Sequence, residues 1–421
     1  MPKAKAKAQL AVQFLVAARH CEIEGLKLLL EAGRLVLSIS SLVHCLQRER
    51  GASNLYLASA GQSYQAQLLD YQQAASTAEQ ELQQGLQHWL VQQRCPHGCA
   101  RFFSRIAMVT HALGSLPSLR AQIAARKIAL QPAMHSFNEL IRGLLAVVFE
   151  AADSAADPQI SRALVALFNF MQGKELAGQE RAIGAAGFSL GGFDDTLKQA
   201  LLNRIEAQEH CFQIFTEFCD PDSLKHWQQV LIGPHSTEVE RLRRIASTRS
   251  LPSGGGVELA RIWFEQTTHR IDAMKQVEEQ LEAYLEQLCL SRITSAGIEL
   301  ASAQAATADL DALLAGSAGE GNGTRHPMLE AEMAIPSASR SVMDLVHQQS
   351  RRLQAMEDEL QAARQALTER RVLERAKALL MQHRQLSEDE AHRFLRQTAM
   401  NQNRRINEVA EAIVSMADVL G

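Results

Sequence analysis

Apolar residues recur three and four positions apart along most of the chain, from about Gln9 to the glycines near Gly316, and this spacing predicts amphipathic helices throughout. The stripes break near residues 33, 61–63, 95–98, 127–132, 153–158, 187–194, 220–222 and 252–256. Long periodic segments joined by short interruptions suit antiparallel neighbours. The expected fold is all-α, with two stacked antiparallel four-helix bundles in one domain over residues 1–315. A stretch over 316–341, rich in Gly and Ser at its start and containing Ile335-Pro336-Ser337, predicts a flexible linker.

Beyond the linker the period changes. Val342, Val346, Gln349, Leu353, Met356, Leu360, Ala363 and Leu367 alternate four and three residues apart, the a/d seam of a coiled-coil helix over 342–367. Gln349 and Ala363 weaken that seam, so the helix either pairs with a second copy or docks on its own bundle. Residues 368–421 predict a three-helix bundle. Leu373, Ala376 and Leu380 mark its first helix; Ala391, Phe394 and Leu395 mark the second, behind a Ser387/Glu390 capping box. Ile406, Val409, Ala410, Ile413 and Val414 mark the third.

Composition supports helices: ten prolines in 421 residues and 5% aromatic content argue against sheets. A formal charge of −4 gives no global attraction for nucleic acid or membrane, so any such contact needs a local patch. Seven cysteines without a regular framework suit reduced thiols in the cytoplasm. Cys95-Pro96-His97-Gly98-Cys99 lacks the spacing of a zinc pair and reads as a loop, so neither a metal nor a cofactor is expected. Lys3, Lys5 and Lys7 ahead of Leu10 imitate a signal peptide, but Gln9 and Gln13 interrupt the apolar run, which favours a basic start to the first helix. No stretch is apolar for long enough to span a bilayer.

From residue 364 to 421, ten Lys or Arg stand against eight Asp or Glu, too small a surplus to mark an RNA-binding surface by itself. The residue pattern is more specific. Leu373-Glu374-Arg375-Ala376-Lys377-Ala378-Leu379-Leu380-Met381, Glu390-Ala391 and Leu395-Arg396-Gln397-Thr398-Ala399-Met400 resemble the ANTAR domain. ANTAR domains are three-helix units that bind stem-loops in leader RNA and prevent a terminator from forming. The resemblance implies RNA contacts at Ala376, Lys377, Ala391, His392, Arg396 and Arg405, and the basic pair Arg404-Arg405 adds Arg404 as a candidate phosphate contact. His392 stands where an aromatic residue is often found.

Upstream, two arginines stand in apolar stripes. Ile39, Leu42, Val43 and Leu46 lead at helical spacing to Arg50, and Leu164, Leu167 and Met171 lead to Lys174, Gly178 and Arg181. A buried cation is costly unless something anionic faces it. Glu49-Arg50-Gly51 returns as Glu180-Arg181-Ala182, 131 residues later, which suggests related halves. Small residues around both arginines allow close helix approach or room for a ligand. An internal salt bridge to Glu49, Glu175 or Glu180 and a bound anion explain this spacing equally well. Gln47-Arg48-Glu49-Arg50-Gly51-Ala52-Ser53 and Gly178-Gln179-Glu180-Arg181-Ala182 resemble the two motifs of the NIT domain, a helical sensor of nitrate and nitrite. That resemblance implies nitrate or nitrite gripped by Arg50 and Arg181, with Arg48, Ser53 and Gln179 as orienting donors; a guanidinium fork suits two oxygens of a planar anion. Arg241, Arg243 and Arg244 form a further cluster, read mainly as solvated, and Ser253-Gly254-Gly255-Gly256 reads as a hinge.

No metalloprotease, nucleophile-elbow or phosphate-loop motif occurs, so an enzyme is not expected. NIT joined to ANTAR implies a cytoplasmic, nitrate- or nitrite-responsive antitermination regulator, expected as a homodimer with no membrane partner. The alternative is a helical signal-sensing scaffold that acts through protein contacts.

Overall fold

The computed structural model describes residues 2–92, 100–247, 256–316, 328–402 and 404–420. They form thirteen helices and no strand: α1 (Pro2–Ala58), α2 (Gln65–Gln92), α3 (Ala100–Leu113), α4 (Leu116–Ala124), α5 (Leu130–Ser154), α6 (Pro158–Ser189), α7 (Asp195–Phe218), α8 (Pro221–Ile232), α9 (Pro234–Ser247), α10 (Gly256–Gly316), α11 (Met328–Arg384), α12 (Glu388–Gln402) and α13 (Ile406–Leu420).

Aspartates set several of the starts. Asp157 accepts from the Gln159 and Ile160 amides and precedes Pro158; Asp220 accepts from the Asp222 and Ser223 amides and precedes Pro221; Asp194 accepts from the Leu197 amide. Each meets amides that the first turn leaves unpaired, and proline at the first helical position loses nothing. At the end of α6, Gly191 adopts φ +76°, which lets the Gly191 and Gly192 amides close on the carbonyls of Phe188 and Gly187.

Two expected breaks are helical instead. Gly33 lies inside α1, where a Cβ would sit an ordinary 3.8 Å from Leu285 of α10, so packing along α10 carries the helix through one poor helix former. The flexible segment expected over 316–341 is helical from Met328, Pro336 included; Met328-Leu329-Glu330-Ala331-Glu332-Met333 are strong helix formers and carry the helix up to the proline. Residues 317–327, the Cys95 to Cys99 loop, and Ser253 to Gly255 of the expected hinge lie outside the described residues.

The sensor helices repeat one plan. α1 packs on α2 and α5 as α6 packs on α7 and α10; α3 and α4 lean on α5 as α8 and α9 lean on α10. The two halves meet where α1 lies along α10 and α5 lies along α6. Their shared core includes Leu42, Leu46, Phe137, Leu144, Phe170 and Phe215. Small residues govern the closest approaches. At Gly184, a Cβ would fall 2.2 Å from the buried ring of Trp263.

The C-terminal part of the coiled-coil seam does not stand free. Ala363 and Leu367 belong to the main sensor core, and α11 packs on α6, α1 and α5. Beyond them Leu373, Ala376, Leu380, Ala391, Leu395, Ala399, Val409 and Ala410 close a separate three-helix core. The capping box forms as expected: the Ser387 amide donates to Glu390 at 2.8 Å, and the Glu390 amide donates to Ser387 Oγ at 3.3 Å.

Candidate anion site and RNA-binding surface

The doubled Glu-Arg motif is built twice in three dimensions. Glu49, fully buried, is held at both oxygens by Arg120 of α4, each bond 2.8 Å; Glu180, 1% exposed, is held at both oxygens by Arg243 of α9, each bond 2.7 Å. Burial alone would raise the Glu180 carboxyl, but the Arg243 fork overrides it and holds the group below the usual range. Each motif arginine then reaches into its own half. Arg50 Nη1 donates to Asn138 at 2.6 Å, 88 residues on, and Arg181 Nη1 donates to Thr268 at 2.9 Å, 87 residues on.

The two arginines face each other across α1 and α6. A Cβ on Gly51 would lie 2.9 Å from Arg181 Nη2, and a Cβ on Gly178 would lie 2.8 Å from Arg50 Nη2. At both positions a larger residue would push the facing guanidinium out of its present place. Burial first, and repulsion from Arg50 second, press Arg181 down to about 10.

Their counter-charges differ. Arg50 grips Glu175 at both oxygens, 2.5 and 3.1 Å away. Gln47 and Gln179 donate to the same carboxylate at 2.9 and 2.8 Å, so four donors converge on one planar group. Among the described residues no carboxylate pairs with Arg181, which rests over the Phe264 ring at 4.8 Å. It borders a cavity of about 80 Å³, also lined by His44, Gln47, Arg48, Tyr71, Thr268 and Asp272, whose carboxylate attracts Arg181 without forming an ion pair with it. Under the 131-residue offset, His44 occupies the place of Glu175. Burial, with Lys174 adding to it, drives His44 down to about 3, so the ring is neutral, and its Nδ1 is buried without a partner.

Of the expected anion contacts, Arg50, Arg181 and Gln179 meet around one centre. Arg48 is exposed on the cavity rim and lies 4.2 Å over the Tyr71 ring. Ser53 is fully buried with its Oγ unpartnered. From the downstream basic cluster Arg243 alone is drawn inward, to Glu180 rather than to the cavity. Sequence reasoning missed His44, Asn138, Arg120 and Thr268. The motif offset was the one signal that could have found His44.

In the C-terminal module, Ala376 and Ala391 are fully buried in its own core, where their small side chains pack the helices and are not exposed for the contact expected of them. Lys377 is 8% exposed, paired with Glu374 at 2.7 Å and Glu388 at 3.2 Å. Arg396 pairs with Glu206 of α7. Arg142 of α5 pairs with Glu388 at 2.9 Å, and Arg371 with Asp153 at 2.7 Å. Lys377 and His392 line a crevice of about 210 Å³ against Gln172, Leu176, Arg204 and His210 of the sensor. Burial would raise Glu388, yet Lys377, Arg142 and Arg204 hold it down to about 2. Arg404 and Arg405 remain exposed, Arg404 beside Glu408 at 3.1 Å. Phe394 carries the Arg384 guanidinium over its ring at 4.6 Å.

No group of side chains suited to a metal ion occurs among the described residues, and no described helix is long and apolar enough to cross a membrane.

Residues 41–286 match the family model for nitrate and nitrite sensing (NIT), and residues 361–414 match the model for the ANTAR domain. The chain is 35% identical to the nitrate regulatory protein of Klebsiella oxytoca over 405 residues, covering 96% of this chain and 95% of that one. It is similar to the solved structure of the NasR transcription antiterminator with a TM-score of 0.60 and 33% identity, over 97% of this chain and 99% of the other.

Proposed function

The chain belongs to the nitrate- and nitrite-sensing NIT family and ends in an ANTAR domain, and from that premise we propose that an anion held between Arg50 and Arg181 controls exposure of the RNA-binding face. Its activity is nitrate-responsive transcription antitermination, a regulatory function and not a catalytic one. The observation that carries the site is the facing pair of buried guanidinium groups, of which, among the described residues, only Arg50 is held in an ion pair, while Asp272 attracts Arg181 without one. A planar anion between them would meet the charge left over on Arg181 and relieve its repulsion with Arg50.

The docked arrangement is the closed one. Lys377, His392 and Arg396 are turned to the sensor, where stem-loops in leader RNA would not reach them. Anion binding favours the undocked arrangement, and it shifts the balance only by its greater affinity for that arrangement. Release also frees Leu360, Ala363 and Leu367 to pair with the same seam of a second copy, giving a homodimer in the cytoplasm. Thermal unfolding with nitrate against chloride at equal ionic strength tests the site. At a hundredfold excess over Kd, nitrate should add about 2.7 kcal/mol to the wild type and nothing to an Arg50→Ala, Arg181→Ala variant. Equal responses would rule the site out.

A further inference from the structure

Four donors from three side chains, Arg50, Gln47 and Gln179, already converge on a planar, singly charged group with two accepting oxygens. That group is the protein's own Glu175, 3% exposed. In shape and charge a carboxylate is close to nitrite and shares with nitrate the two-oxygen edge that a guanidinium grips. We propose that Glu175 is a built-in competitor for the sensed anion: it fills the Arg50 fork in the ligand-free protein and must leave it when nitrate or nitrite binds. The inference rests on the placement of the anion between Arg50 and Arg181.

The asymmetry between the halves supports it. The position equivalent to Glu175 in the other half is His44, which carries no charge; Asp272 attracts Arg181 across the cavity but does not grip it, so the Arg181 fork is open to an outside anion while that of Arg50 is not. An anion can therefore meet Arg181 first and win Arg50 only by displacing Glu175. The displacement falls on a sensitive turn of α6. Gln172 and Leu176, on either side of Glu175 in sequence, line the crevice against Leu373 and Lys377 of the C-terminal module. The carboxylate thus sets the anion threshold and ties occupancy of the fork to the surface that holds the RNA-binding face.

Calorimetric titration of the full chain with sodium nitrate, in a sodium chloride background, tests this on Glu175→Gln. Glutamine keeps the size but not the charge, so nitrate should bind about tenfold tighter or more, the worth of one charge-assisted hydrogen bond. The nitrate concentration for half-maximal RNA binding should fall by a similar factor. An unchanged or weaker nitrate affinity overturns the proposal. Glu175→Asp covers the case in which the glutamine variant does not fold. It keeps the charge but is too short for the two-oxygen grip, so affinity should rise by less; no rise overturns the proposal equally. Arg181→Gln, alone and with Glu175→Gln, separates the two readings. Loss of binding in both backgrounds upholds the site and leaves the competitor to be judged on Glu175 alone. Binding that survives Arg181→Gln removes the site and the competitor with it.

Discussion

Beside the apolar contacts of α11, docking of the C-terminal module includes, among the described residues, three cross-domain ion pairs whose sensor-side members, Arg142, Asp153 and Glu206, have no expected contact with RNA. Replacing these three by alanine weakens docking without touching Lys377, Arg396, Arg404 or Arg405. The pairs are partly exposed, with side-chain exposures of 53% and 34% for Arg142 and Glu388, 42% and 39% for Arg396 and Glu206, and 36% and 12% for Arg371 and Asp153. Solvent screening at such exposure limits each to about 0.2–1 kcal/mol, so together they supply roughly 1–2 kcal/mol. At 1.4 kcal/mol per factor of ten, the docked-to-undocked ratio should fall by about 5- to 30-fold. Binding of leader RNA by the ligand-free protein, followed by fluorescence anisotropy at one fixed salt concentration, should tighten by that factor. The nitrate-saturated affinity should not change. A folded triple variant whose ligand-free affinity stays within about twofold of wild type would show that these pairs do not hold the RNA face closed.

Two further outcomes concern the sensor core. His44 is held at about 3 when folded against an ordinary 6.5, so below pH 6.5 the unfolded chain takes up a proton that the folded chain refuses, and stability falls as the pH drops toward 3. One group contributes a slope of up to about 1.4 kcal/mol per pH unit; between pH 6 and 5, urea unfolding of His44→Gln should lose about 1 kcal/mol less than wild type, and identical slopes would contradict the burial argument. Lys174 and Glu278 are both fully buried and 2.6 Å apart, but Glu278 also has Lys275 at 3.1 Å, whereas Lys174 has its one ion pair with Glu278 among the described residues. Glu278→Gln should therefore cost about 3–5 kcal/mol and Lys174→Met clearly less; the reverse order in denaturant midpoints would refute the pairing.

Periodicity alone predicted the helices, the three-helix tail and the two arginines set among apolar neighbours, because each depends on neighbours three or four residues apart. The Asp-Pro starts of α6 and α8 were equally local. Gly33 and Pro336 misled because a single poor helix former does not end a helix that packing or strong neighbours sustain. Partner choice was not legible. Three glutamates stood near the arginines in sequence, and only the fold assigns Glu175 to Arg50, Glu49 to Arg120 and Glu180 to Arg243. Arg142, Asp153 and Glu206 carried no signal either, since an exposed charge looks the same in sequence whether it meets solvent or a docked helix.

One turn of α6 gathers the constraints that a switch needs. Lys174 is clamped to Glu278 of α10, Glu175 to Arg50 of α1, and Gln172 and Leu176 meet the C-terminal module. In the proposed switch, displacing Glu175 would release the tie to α1 and leave the tie to α10 in place. That turn is closely packed: a Cβ on Gly173 would meet the Phe212 ring at 2.6 Å. Dense packing permits few intermediate positions, and a small displacement is then converted into a choice between two arrangements.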